Sequence, residues 1–211
     1  MQLKKEEKRK AIIDAAEKII AEKGAHNMTM DEVAKAADVA KGTLYLYFKN
    51  KKSLYAGVNA SLNKEVTKEI KKSLALYKTG SEKMLAIGPG VIQYVFKNPQ
   101  KWKAGTELYQ IKYDDADDPN VQEMIEEDNK GIQLIVKVYE QAIKEGTIRE
   151  NIDPVPTAIF LKMALLNAFT PTTEQKLLLE KNNINMTRYL EVSRDLIINS
   201  THKKPPENVK S

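Results

Sequence analysis

Two short amphipathic stretches separated by three residues constrain this chain more than any other feature. Thr29-Met30-Asp31-Glu32 is a capping-box pattern. In such a box a threonine hydroxyl and a glutamate three residues later satisfy each other's backbone amides. It opens a short helix through Ala37; residues 38–40 read as a tight turn, and a second short helix follows over about 41–48. Ahead of them Ile12, Ile13, Ala16, Ile19 and Ile20 repeat at helical spacing, with Gly24 placed to end that helix. A longer helix followed by two short ones around a tight turn is the helix-turn-helix pattern. Val33, Ala34, Val39, Leu44 and Phe48 supply an apolar interior, and the small Ala34 and Ala37 let the helices approach closely.

The remainder also reads as helix. Asn50 caps a long helix to about 77 that carries Leu54, Val58, Leu62, Val66, Ile70 and Leu74. A stride of four overshoots the roughly 3.6-residue turn by about 40° per step, so this stripe winds and its two ends face different neighbours. Further helices are expected over 81–98, with Gly88-Pro89-Gly90 as a kink or break, and over 99–113, 119–145, 153–169, 172–182 and 187–199. No strand or repeat is evident. The expected fold class is all-α. Residues 1–50 are expected to form a three-helix domain, 51–200 a larger helical domain, and 201–211 a disordered tail.

Composition narrows the functions. The absence of cysteine excludes disulfides and thiolate metal sites. No stretch reads as a signal peptide or a membrane span, so a cytoplasmic protein without membrane contact is expected. Of the net charge of +5, residues 1–60 carry +4, from 12 Lys/Arg against 8 Asp/Glu. A basic N-terminal part suggests a polyanion partner there, although solubilising lysine accounts for the charge alone equally well. There is no phosphate-binding glycine loop, zinc-protease motif or nucleophile elbow, and neither histidine has a glutamate three residues before it. No catalytic residue, metal or cofactor is expected.

The second short helix turns Lys41, Gly42, Thr43, Tyr45 and Tyr47 away from Leu44 and Phe48. Recognition helices read base edges with their N-terminal residues. Lys41 suits guanine O6 or N7, the Thr43 methyl suits a thymine methyl, and Gly42 lets the backbone come close. Lys51 and Lys52 fall in the first turn of the next helix, where positive charge costs about 0.3–1 kcal/mol each. A docked phosphate reverses that cost, whereas screened surface lysines would nearly escape it. Thr29 can present its hydroxyl to a phosphate or serve only as a cap. Lys4, Lys5, Lys8, Arg9 and Lys10 form either a DNA-reaching arm or a frayed terminus. The acidic run Asp114, Asp115, Asp117 and Asp118 reads as a solvated loop before it reads as a cation site.

The run Thr29-Met-Asp-Glu-Val-Ala-Lys-Ala-Ala-Asp-Val-Ala-Lys-Gly-Thr-Leu-Tyr-Leu-Tyr-Phe-Lys-Asn-Lys-Lys-Ser-Leu54 resembles the DNA-binding signature of the TetR family of bacterial and archaeal repressors, over roughly residues 8–58. The resemblance places Thr43 and Tyr45 at base- or sugar-contacting positions, with Leu46, Tyr47 and Lys51 toward phosphates. Asp38 stands where the family usually has glycine; aspartate tolerates the left-handed conformation better than most residues. The resemblance further implies a homodimeric repressor that binds double-stranded palindromic operator DNA and is released by a small hydrophobic or amphipathic ligand. Dimerisation would fall to the helices at 153–169 and 187–199, the first of which is apolar almost all round. For the ligand, Met84, Tyr94, Trp102, Tyr109, Met124, Tyr139 and Met163 are the candidate contacts, each equally at home in an ordinary core. Control by a protein partner, or by no ligand, is the alternative on the same fold.

Overall fold

Helix α1 ends where a residue without a side chain is needed. In the computed structural model of the protein, which describes residues 2–109 and 111–201, α1 spans Gln2–Lys23 and stops at Gly24. Gly24 has φ +90°, a conformation that side chains disfavour. Helix α2 (Met30–Ala36) begins at the anticipated capping box. The Thr29 hydroxyl accepts the Glu32 amide at 3.3 Å, and the Glu32 carboxylate accepts the Thr29 amide at 2.9 Å. Its exit is a Schellman motif: the Val39 amide donates to the Ala34 carbonyl (3.0 Å) and the Asp38 amide to the Lys35 carbonyl (3.3 Å). Asp38 itself sits at φ +52°, the left-handed conformation that this turn demands. Helix α3 (Lys41–Tyr47) follows.

Then come α4 (Lys51–Leu74), α5 (Gly80–Lys97), α6 (Pro99–Leu108), α7 (Pro119–Lys144), α8 (Pro154–Phe169), α9 (Thr173–Lys181) and α10 (Met186–Thr201). The described residues contain no strand element, so the fold is all-α. Asn50 caps α4 by accepting the Ser53 amide at 2.8 Å.

The chain forms two compact units, Met1–Glu69 with Ile92–Gly131, and Ile70–Val91 with Ile132–Ser211. Helices α4, α5 and α7 contribute residues to both. In the first unit Ile12, Ala16, Ile20, Val33, Leu44, Phe48, Leu54, Val58 and Leu62 make a single core with Ala104 and Leu108. The helix-turn-helix is thus one end of a larger body. In the second unit Ile70, Leu74, Ile87, Ile135, Tyr139 and Leu161 are buried. The winding stripe of α4 therefore starts in one core and ends in the other. Gly80 opens α5 hard against α7: a Cβ there would lie 2.4 Å from the Ala142 nitrogen.

Several expectations change. Helix α5 is continuous through Pro89, so no break falls at Gly88-Pro89-Gly90; Pro89 and Leu85 lie on its exposed side, where water can replace the missing donor. Helix α6 stops at Leu108, not near 113. Beyond it Ile111 and Tyr113 pack against the first core from a non-helical segment. Lys4 to Lys10 belong to α1, so this stretch is helical and not a frayed end. Thr201 closes α10 and is buried, so it is not part of a tail; residues 202–211 lie outside the described residues.

Candidate nucleic-acid interface

Leu44 and Phe48 are fully buried beneath α3, which fixes the side of the helix that faces outward. Lys41, Gly42, Tyr45 and Leu46 are exposed there, while Thr43 and Tyr47 are half-buried at its edges. Leu46 is 86% exposed, a large apolar side chain with no covering in its own chain. The candidates drawn from α3 thus lie on its exposed side and along its edges.

The cationic candidates are engaged by the chain itself. Lys41 pairs with Asp31 at 2.7 Å, bracing α3 against α2. That hydrogen bond holds the Lys41 ammonium above its usual range. The Lys51 ammonium donates to the His26 carbonyl at 2.7 Å and lies 5.7 Å from the Tyr55 ring centre. Burial and the neighbouring Lys23 charge push its pKa down. Lys52 pairs with Asp114, and Lys49 with Asp115 and, at 3.3 Å, Asp118. The Thr29 hydroxyl is committed to Glu32, donating at 2.7 Å as well as accepting. The acidic run therefore serves the chain's own lysines, and no cluster suited to a metal ion occurs among the described residues. Arg9, Ser53, Asp118 and Asn120, none of them singled out in the sequence as a group, meet at the C-terminal end of α3. Asp118-Pro119 does read locally as a helix cap followed by proline at the first helical position, but nothing local reveals its partners.

The seven ligand candidates divide between the units. Tyr94, Trp102, Tyr109 and Met124 belong to the first, and Met84, Tyr139 and Met163 to the second. Tyr94, Tyr139 and Met84 are buried, whereas Tyr109 and Met163 are about half exposed. No described helix is long and apolar enough to cross a membrane.

A boxed helix, a Schellman turn and a second helix with one sealed and one open face define a helix-turn-helix regulator. The family model "Bacterial regulatory proteins, tetR family" matches residues 12–58. The HTH-type transcriptional regulator YhgD of Bacillus subtilis is 30% identical over 167 residues, covering 77% of this chain and 83% of that protein. The fatty acid metabolism regulator protein of the same organism is 56% identical, over only 43 residues, or 20% of this chain and 22% of that one. Among solved structures, the transcriptional regulator FadR from Bacillus subtilis in complex with stearoyl-CoA superposes with a TM-score of 0.68 at 20% identity, covering 91% of this chain and 98% of that one. The chain belongs to the TetR family, and it is a DNA-binding transcriptional regulator.

Proposed function

We propose that the protein is a homodimeric repressor that holds a palindromic operator through α3 and releases it when a small amphipathic ligand binds within residues 51–200. The observation that carries this reading is the open face of α3, where Gly42, Tyr45 and Leu46 stand clear of their own chain above a sealed interior. In this reading residues 1–50 read DNA, with Thr43 and Tyr45 toward bases or sugars and Leu46, Tyr47 and Lys51 toward phosphates. The ligand favours a state in which α4, rooted in both cores, tilts and carries the two α3 helices out of register. The likeness to FadR bound to stearoyl-CoA makes a long-chain acyl-CoA the first compound to try.

The test begins with selection of binding sites from a random-sequence duplex library. An inverted repeat with half-sites about 10–10.5 base pairs apart, or a multiple of that, is expected. Stearoyl-CoA should then weaken binding to the selected duplex about 5- to 150-fold. Lys51→Ala should lower the salt slope by about two per dimer, roughly 0.9 for each phosphate left without its lysine. Failure to enrich any sequence would sink the operator reading. Enrichment with no response to stearoyl-CoA would remove that ligand class alone.

A further inference from the structure

The last carbonyls of a helix have no partner within it, and their satisfaction fixes how the helix end is held. At the end of α3 the Tyr47 carbonyl accepts a hydrogen bond from the Asn120 side-chain amide at 3.0 Å. Asn120 is the second residue of α7, and 73 positions separate it from Tyr47. Its amide nitrogen also donates to the Ser53 hydroxyl at 3.0 Å, and its side-chain oxygen accepts from Arg9 at 2.9 Å. Both amide hydrogens and the oxygen are thereby used. Asp118 caps α7 by accepting the Asn120 amide at 2.8 Å and takes the Ser53 hydroxyl at 3.2 Å. Arg9 is further paired with Glu123 and lies 5.4 Å from the Phe48 ring centre. Ser53, Asp118 and Asn120 are 2%, 3% and 8% exposed, so the bonds among them form out of water, where geometry is costly to change, and they hold the Asn120 amide in place for the part-buried bond to Tyr47.

We infer that Asn120 is a positioning residue for the recognition helix: it ties the end of α3 to the start of α7, so that operator reading depends on α7 as well as on α4. The inference rests on α3 being the helix that reads DNA. Helix α7 runs on from Gly131 into the second unit. It is therefore a connection to α3 through a side-chain hydrogen bond, beside the covalent one through α4. A network that merely satisfied buried polar atoms would support the fold without bearing on which sequence is read.

The experiment uses the full-length protein, the duplex enriched by the wild type, and a random-sequence duplex of equal length. Non-specific binding depends on phosphate contacts and base readout on the placement of α3. Asn120→Ala should lower the ratio of selected to random affinity about tenfold, the size of one missing hydrogen bond to a buried group. Affinity for the random duplex and its salt slope should stay at wild-type values. Asn120→Asp keeps the side-chain volume and the acceptor for Arg9 and removes the donor to Tyr47. Its added charge acts on both duplexes and cancels in the ratio, which should fall as for alanine. That variant decides the matter if Asn120→Ala loses its helical circular dichroism. A wild-type ratio in the folded variants overturns the inference, as does an equal loss on both duplexes. If the wild type enriches no sequence at all, the reading of α3 fails first and takes this one with it.

Discussion

At position 42 a methyl group would meet nothing: a Cβ built there has no heavy atom within 4 Å. At position 57 the same methyl would lie 2.6 Å from a ring carbon of Phe48, itself fully buried. One substitution thus has opposite consequences at two helical glycines. Gly42→Ala should stabilise the fold by about 0.5–1 kcal/mol, because alanine loses less backbone freedom on entering a helix. If α3 approaches DNA there, the same variant should bind the selected duplex more weakly, separating stability from affinity. Gly57→Ala should cost about 1–3 kcal/mol through overpacking against the ring that closes α3. Urea denaturation of both variants checks the signs, and a stabilised Gly42→Ala with unchanged DNA affinity would remove the N-terminal turn of α3 from the interface. The openness of position 42 was legible because Leu44 and Phe48 identify the sealed side. Position 57 was not, because what makes it special is the angle at which Phe48 returns onto α4.

Among the helices, the starts were legible and the distant anchors were not. A cap joins residues two or three apart, so Thr29, Asn50 and Asp153 announce α2, α4 and α8 in the sequence itself. The end of α6 is decided instead by Ile111 and Tyr113 reaching a core built from other helices. The lysines at the start of α4 posed a choice between phosphate and solvent, and the sequence could not offer the His26 carbonyl or Asp114 as partners. The capping box of α2 carries a prediction of its own. The Glu32 carboxyl is held down to about 2 by hydrogen bonds from Lys23 and from the side chain and amide of Thr29. A carboxyl whose folded value lies below its unfolded value contributes stability above the unfolded value and loses it as pH falls toward the folded one. The contribution should therefore fade from about pH 4.5 down to about 2. Glu32→Gln keeps a box-competent side chain at that position but has no proton to take up. Thermal melts of the two proteins should converge as pH falls through that window; a constant difference would show that the charge of Glu32 contributes nothing to the cap.

For the whole molecule the decisive surface is the one a single chain leaves uncovered. Helix α8 was expected to be apolar almost all round, and in the isolated chain only Ala158, Leu161 and Ala168 along it are buried. Val155, Ile159 and Met163 recur every four residues and stay exposed, with Phe160 beside them at 62%. On α10, Val192 and Leu196 repeat the spacing, Leu196 at 67%. An apolar stripe of this length on a stable monomer would be a standing liability, and two copies facing each other would bury it as a self-complementary interface. Partners placed across such a contact would also set the separation of the two α3 helices, so DNA affinity and association should fail together. Phe160→Glu should turn a dimer into a monomer in sedimentation velocity, since a carboxylate at the centre of an apolar contact would be buried without a partner. Its helical circular dichroism should be retained, because the side chain is not part of the monomer's core. Binding to the selected duplex should weaken far more than binding to random DNA, as the two half-sites lose their rigid link. A variant that still sediments as a dimer would place the interface elsewhere, and a monomeric wild type would leave the stripe of α8 to some partner other than itself.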